Sequence, residues 1–388
     1  MIITNKQIAI VGGGPGGLTL ARLLQLKSAN VKVYERDLNK NARVQGSPLD
    51  MHETSGMAAL RKANLVDELQ KNYRRGADKK LIVNENAEIF FSDHHAENNN
   101  DFNSVNFNPE IDRTSLRNML LQSLQAETVV WDSHFISMER QDEGWKLHFK
   151  NGSTVYADLV IAADGANSKI RPYITPIKAF YSGITMLEIN IKNAMATPNI
   201  NTFLKGGKIM AFGNGKCVLG GQKGDGGIGF YASFKTDESW TVKSGLNYND
   251  NAQMLEWFKQ EYVGWSNFWY EIFEFAKTPF IPRPIYCMPL NQAWKTLPNV
   301  TMIGDAAHVM PPFAGEGANM AMLDALKLSE YLTDNNYHNF QEAIMAFEID
   351  MRKRAAIAAQ QSLENGERMH SADALDKMLR IFGKNNQP

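Results

Sequence analysis

An α/β (α+β) fold, built on a parallel sheet that the chain leaves and later rejoins, is expected from three short glycine turns. Gly12-Gly13-Gly14-Pro15-Gly16-Gly17 fits G-x-G-x-x-G and follows the apolar run Gln7–Val11. Asp164-Gly165 follows Asp158–Ala163, and Gly304-Asp305-Ala306-Ala307-His308 follows Val300–Ile303. Each turn sits at the end of an expected strand, where doubly wound sheets bind ligands. One such turn points to a dinucleotide. Three, spread along most of the chain, point to FAD held by a Rossmann-like domain that a β-sheet substrate domain interrupts. The expected division gives residues 1–176 and 289–338 to the FAD-binding domain and 177–288 to the substrate-binding domain. Residues 339–388 form a C-terminal bridging helix and tail.

The bulk properties narrow the class. A chain of 388 residues can bury a large core. Its formal net charge of -1 gives no general attraction to nucleic acid or anionic membrane. The first strand begins near Gln7, which leaves no room for a signal peptide, and no apolar run approaches the roughly 18 residues of a membrane span. Cys217 and Cys287 have no metal-type spacing and suit a reducing cytoplasm as small buried hydrophobes. A cytoplasmic monomer is expected.

The elements follow in order. A helix from about Gly16 to Leu26 carries Leu20, Ala21 and Leu24 on its inner side, and the strand Val31–Tyr34 ends at Glu35. Asp37 to Asp50, broken by Gly46 and Pro48, is a loop. Helices are expected at His52–Asn64 and Val66–Tyr73. Asp93 to Asn108 is a solvated loop; His94 and His95 lack partners at metal-ligand spacing. Arg113 to Gln125 is a helix with Leu116, Met119, Leu120 and Leu124 on one face. Thr128–Trp131, Phe135–Gln141, Trp145–Phe149 and Thr154–Tyr156 read as a small antiparallel layer.

From Ile177 to Met288 short β-like runs recur, at Ile184–Ile191, Lys208–Phe212, Cys217–Gly220 and Ile228–Phe234. A helical pair, Ala252–Glu261 and Phe268–Ala276, follows. After Val300 the chain returns to the cofactor layer, and Gly315 to Leu332 is a helix. Asn339 is placed to cap a further helix, with Glu342 reaching back. Phe340, Ile344, Phe347 and Met351 recur there at helical spacing, as in a helix packed across both domains. The tail Asn385–Pro388 is expected to fray.

The turns carry chemistry. Gly12, Gly14 and Gly17 let backbone approach a pyrophosphate, and the helix behind them points free N–H groups at it. Glu35, about 20 residues beyond the first turn, is placed to accept the adenosine ribose hydroxyls and would repel a 2′-phosphate. Pro311 to Gly315 precede a helix whose N-terminus would put positive potential at the flavin pyrimidine edge, with Gly315 allowing close approach. His308 lies in a packed strand-to-helix turn and reads as structural, with no local partner for a nucleophile pair.

With these residues in place, the sequence resembles the group A flavin monooxygenases, the aromatic-hydroxylase family. Within it, the chain is most similar to the tetracycline-inactivating monooxygenases. The shared features are Val33 to Asp37, Asn108 to Ile111 before Arg113, and Gly304 to Gly317. The resemblance implies that Asp305 bonds the ribose or ribityl hydroxyls of non-covalent FAD, Arg113 the flavin nucleotide and Arg36 the adenosine side. Arg43 and Asp50 would face the flavin and reductant, and Asp164 would serve FAD and NAD(P)H contacts. It further implies NAD(P)H, with NADPH favoured, and O₂. Oxygen would reach an electron-rich carbon of an aromatic or polycyclic small molecule through a flavin C4a-hydroperoxide, without a protein nucleophile.

The substrate block departs from that pattern. Glu188, Lys208 and Gly229 stand where the tetracycline enzymes carry glutamine, arginine and histidine. Lys208 is then the expected counter-charge to an aromatic anion, with Glu188 beside it and Pro312 and Phe313 as walls. Tetracyclines, other polyketides, phenols and N-heterocycles remain open. A halogenase would show W-x-W-x-I-P, which is missing, and a membrane-acting epoxidase would carry an apolar anchor. A non-enzymatic flavoprotein that sequesters an aromatic ligand is the remaining alternative.

Overall fold

The computed structural model describes residues 1–42, 48–96, 100–104 and 107–383. The strands in chain order are β1 (Gln7–Val11), β2 (Asn30–Tyr34), β3 (Leu49–Asp50), β4 (Lys80–Asn84), β5 (Ile89–Ser92), β6 (Glu110–Ile111) and β7 (Val129–Val130). There follow β8 (Phe135–Gln141), β9 (Gly144–Phe149), β10 (Thr154–Ala157), β11 (Leu159–Ala162) and β12 (Phe180–Ile191). The last are β13 (Lys208–Gly213), β14 (Lys216–Gln222), β15 (Ile228–Lys235), β16 (Lys277–Cys287) and β17 (Val300–Met302).

The central sheet has the order β17-β11-β1-β2-β7, and every pairing in it is parallel. Its strands are apolar because both faces are covered. The helix Pro15–Gln25 starts on a proline, whose fixed φ suits the first helical position. Leu20, Ala21 and Leu24 are fully buried beneath it. Gly12 has φ +114, and a Cβ there would lie 2.2 Å from the Ala163 carbonyl oxygen. Only glycine permits the first turn to press against the end of β11.

The antiparallel layer is β10-β9-β8 alone. Val129–Val130, expected in it, instead pairs with Val33 and Tyr34 and closes the central sheet. A two-residue strand has too short a pattern to name its partner. The helix expected over His52–Asn64 forms as a π-helical turn, Glu53–Met57, that runs into Ala58–Lys62.

The second sheet has seven strands in the order β16-β12-β15-β14-β13-β4-β5. β16, β4 and β5 were not anticipated. β4 and β5 belong by sequence to the first segment, yet β4 lies parallel to β13. One face of this sheet, with Leu187, Ile189, Ile209, Val218 and Phe230, is buried against the helices Pro198–Leu204, Asn251–Glu261 and Tyr270–Glu274. The other face looks back at the central sheet.

The helix Phe340–Met369 ties the halves together. Asn339 caps it, its side chain accepting from Glu342 N at 3.0 Å. Glu342 reaches back to the His338 N–H at 2.9 Å, one residue before the cap. Ile344, Phe347 and Met351 are fully buried against the FAD-side core. Just beyond the other end, His370 Nδ1 donates to Gly366 O and Nε2 accepts from Ser233 Oγ of β15, both at 2.7 Å. A last helix, Ala374–Gly383, packs Leu375, Met378 and Leu379 in one cluster with Phe91 and Met210. Residues Asn385–Pro388 lie outside the described residues.

His308 is paired with a carboxylate from further along the chain. Its Nε2 lies 2.5 Å from Asp324 Oδ2, on the helix Gly317–Thr333. The same oxygen accepts Gly304 N at 2.9 Å, and Oδ1 accepts Arg354 Nη1 at 3.1 Å. Burial alone would lower the His308 pKa, but the Asp324 charge raises it above its ordinary value. Asp324→Ala should therefore cost about 3–5 kcal/mol, because it leaves buried cations without their partner. Urea denaturation of the FAD-loaded protein measures this, and an unchanged midpoint would show that the network contributes nothing.

Candidate functional site

A cavity of about 960 Å³ lies between the carboxyl ends of the central strands and the open face of the seven-stranded sheet. All three glycine turns meet on it. Gly12, Gly14, Gly17, Glu35 and Arg36 line one end, and Asp164, Arg113, Asp305 and Gly315 line the middle. Met186, Lys208, Tyr231, Arg283, Pro312 and Phe313 line the far end.

At the first end the Gly13 N–H donates to Glu35 Oε2 at 2.6 Å, and Asp37 N donates to Oε1 at 3.0 Å. No side chain caps the helix Pro15–Gln25 at Gly14, so its first N–H groups open on the cavity. The helix Gly317–Thr333 is also uncapped, and Gly315 before it adopts φ +68. This helix starts at Gly317 rather than Gly315 because Pro312–Ala314 form a separate 3₁₀ turn. Asp164 Oδ2 accepts Lys169 N at 2.8 Å, while its Oδ1 is buried with no hydrogen-bond partner. Burial raises the Asp164 pKa, and raises that of Asp305 against the charges of His308, Arg113 and Arg171. Burial also lowers the Arg113 pKa, opposed by Tyr231, Asp305 and Glu188. Two uncapped helix ends, an orphaned carboxylate oxygen and a cavity-facing Asp305 fit a pyrophosphate joined to a polyhydroxyl chain.

The Asp50 segment is clamped from the other side. β3 pairs antiparallel with β6, so Asp50 sits opposite Glu110. Asn319 Nδ2 donates to Asp50 O at 2.9 Å, and its Oδ1 accepts His52 N and Gly56 N. His52 bridges Asp50 Oδ2 and Glu316 Oε1, each at 3.1 Å. Its bond to Asp50, then that to Glu316, lifts the imidazole pKa to about 10 despite burial. Burial would raise Asp50, but the His52 hydrogen bond and the Lys208 charge outweigh it and bring it down to about 2. Arg43 lies outside the described residues.

Two expectations at the far end need correction. Lys208 does line the cavity, but its ammonium is paired with the buried Glu110 carboxylate. It is not a free counter-charge. Glu188 is 7% exposed and does not line the cavity; its Oε2 accepts Arg283 Nε, and Arg283 stands in front of it. Gly229 opposes Asn190 and Gly221 in the sheet and also stays off the cavity wall. Among the described residues, no group of three or more His, Cys, Asp or Glu could hold a metal ion, and no helix is long and apolar enough to cross a membrane.

The sequence pattern of the FAD binding domain matches residues 5–242 and 292–360, the stretches that carry all three turns. The chain belongs to the FAD-binding domain family. This family member is 24% identical over 379 residues to monooxygenase penA of Penicillium thymicola, covering 84% of each chain. Its fold matches Klebsiella pneumoniae HpxO complexed with FAD and uric acid, with TM-score 0.76 and 18% identity over 99% of this chain and 94% of that one. It also matches the tetracycline destructase Tet(55), with TM-score 0.76 and 17% identity over 99% and 96% of the two chains.

Sequence reasoning missed His52, Asn319, Tyr231 and Arg283 in this FAD-binding-family site. His52 stands two residues from Asp50, and that spacing was the available signal. Arg283 lies in a Pro-Arg-Pro run that reads as irregular, and only pairing with β12 makes it a strand.

The clamp has a pH signature. His52, raised from its ordinary 6.5, contributes stability that is complete below pH 6.5 and lost as pH rises through about 10. Asp50, lowered from 3.8, contributes stability that is complete above that value and lost as pH falls through about 2. The His52 ring should stay protonated at pH 8 by NMR, and stability should fall more steeply above pH 7 than in His52→Gln. A neutral ring at pH 8 would dismiss the clamp.

Proposed function

We propose that this FAD-dependent monooxygenase hydroxylates an electron-rich aromatic or enolic small molecule, using NAD(P)H and O₂. The observation that carries the reading is one continuous cavity, running from the glycine turn past Asp305 to the walls formed by Met186, Tyr231 and Phe313. When bound, FAD supplies the redox and oxygen chemistry. The protein's part is to bind, orient and exclude water.

The first turn and its helix end take the pyrophosphate, Glu35 the adenosine ribose and Arg36 the outer adenosine side. Asp305 and Asp164 accept hydroxyls, and Arg113 holds the nucleotide. The uncapped end of Gly317–Thr333 directs its N–H groups and positive dipole end into the middle of the cavity, where they favour negative charge. Asp50, fixed by His52 and Asn319, borders the path of the reductant, for which NADPH is favoured. Pro312 and Phe313 wall the substrate and keep it dry. The unpaired buried cysteines suit a reducing cytoplasm.

Tetracyclines are the leading specific substrate, supported by the resemblance of the cofactor half and the fold match to Tet(55). Uric acid in the HpxO complex supports an N-heterocycle as the second choice. The engagement of Lys208 by Glu110 weighs against a direct copy of tetracycline recognition.

The purified protein should be yellow, and acid should release intact FAD. Asp305→Ala should weaken FAD binding by about 1–3 kcal/mol, the cost of removing a charged acceptor from buried hydroxyls. Equilibrium dialysis measures it. NADPH oxidation should rise with a tetracycline, a phenol or an N-heterocycle, and the product should gain one oxygen by mass. Oxidation that no such compound stimulates would leave an FAD-binding protein that only sequesters its ligand.

A further inference from the structure

Among the described residues, Arg283 is a cavity-lining cation whose outer hydrogen-bonding edge the protein leaves open. Arg283 lies on β16 opposite Met186, and Glu188 lies two residues along β12 on the same face. Glu188 takes the guanidinium Nε, while its other oxygen accepts Asn190 Nδ2 at 3.1 Å. Asn190 is braced in turn by Lys223 Nζ at 2.5 Å. The Arg283 side chain is 51% exposed and lines the cavity, and Glu188 behind it is nearly enclosed. Among the described residues, Nη1 and Nη2 of Arg283 have no hydrogen-bond partner.

Lys208 and Arg74, which also line the cavity, are committed. Lys208 holds Glu110, and Arg74 donates to Gln222 O at 2.6 Å with Asp112 beside it. Arg113 is close enough to feel both Glu188 and Arg283. Arg283 shares this end of the cavity lining with Tyr231, Met186 and Ile285. A guanidinium fixed through Nε presents its remaining fork in the geometry that matches two oxygens of one anion.

We propose that Arg283 anchors an anionic oxygen group of the substrate, a carboxylate or an enolate, and that Glu188 is the positioning residue that aims it. This rests on the reading of the cavity as a monooxygenase site. It deepens that reading by naming the charge of the substrate. A phosphate of the nicotinamide nucleotide would offer similar oxygens, so the test separates the two sources.

The test uses FAD-loaded protein without nicotinamide nucleotide and follows the flavin absorbance during titration. The probes are matched pairs: salicylate and salicylamide, 4-hydroxybenzoate and 4-hydroxybenzamide, dimedone and its O-methyl ether. At least one anion should bind about ten-fold or more tightly than its neutral partner, the loss expected for a charge-assisted hydrogen bond. Arg283→Gln should abolish that preference with FAD content unchanged, and Arg283→Lys should keep part of it. Glu188→Ala separates two roles by sign. If Glu188 were only a neighbouring negative charge, its removal would tighten anion binding; if it aims Arg283, removal weakens it and Glu188→Gln, which keeps an acceptor, restores it.

No anion preference in wild type, or a preference that survives Arg283→Gln, would overturn the proposal. So would an Arg283→Gln effect confined to NADPH affinity, read in a separate titration with NADPH alone. Anion preference without stimulated NADPH oxidation would instead sink the monooxygenase reading and leave the anchor standing.

Discussion

The close approach of the first glycine turn to the end of β11 is the constraint on which the site depends. A Cβ at Gly12 would meet the Ala163 carbonyl oxygen at 2.2 Å, and one at Gly17 would meet the Gly12 carbonyl oxygen at 2.1 Å. Because neither atom exists, three strand-end turns can converge. The helix Pro15–Gln25 then leans on Gly317–Thr333 where Gly16 faces Ala321. Two helix N-termini thereby open on one cavity, and their unsatisfied N–H groups become a property of the site rather than a defect.

The charges around that cavity are arranged so that few of them are left to choose their own partners. Asp324 gathers His308, Arg354 and the Gly304 N–H, which holds the late turn rigid beside Asp305. His52 joins Asp50 to Glu316 and Asn319 joins Asp50 to the helix that begins at Gly317, so this stretch of the cavity wall is held twice. Such buried pairs are weak sources of net stability but set geometry, since breaking one leaves an isolated charge. Lys208 with Glu110 belongs to this group. Arg283 differs, because its tether occupies Nε and leaves the fork in the cavity.

The long helix Phe340–Met369 couples the halves mechanically. Its early turns are buried against the FAD-side core, and its end is pinned to β15 through His370 and Ser233. Gly366 lets the Phe313 ring lie against the helix, where a Cβ would come within 2.8 Å of it. The Phe313 wall of the cavity is therefore set by a residue far along the chain from the turn that carries it.

By itself the sequence determined the strand-end turns and the helices behind them. The glycine turns, Glu35 at a strand end, Asp164, Asp305 and the Asn339–Glu342 cap are each legible in a short stretch of sequence, although the first turn also needs room against Ala163. The same holds for the helices that start at Pro15 and Phe340. Only the tertiary structure decided the end of the cavity formed by the seven-stranded sheet. Which strand Val129–Val130 joins, how β4 comes to lie beside β13, that Glu110 takes Lys208 and that Arg283 rather than Glu188 faces the cavity all follow from pairings between residues far apart in the chain. A period of two tells which side chains share a face, but not which strand lies alongside, and the partner strand is what decides whether a charge is spent or left open.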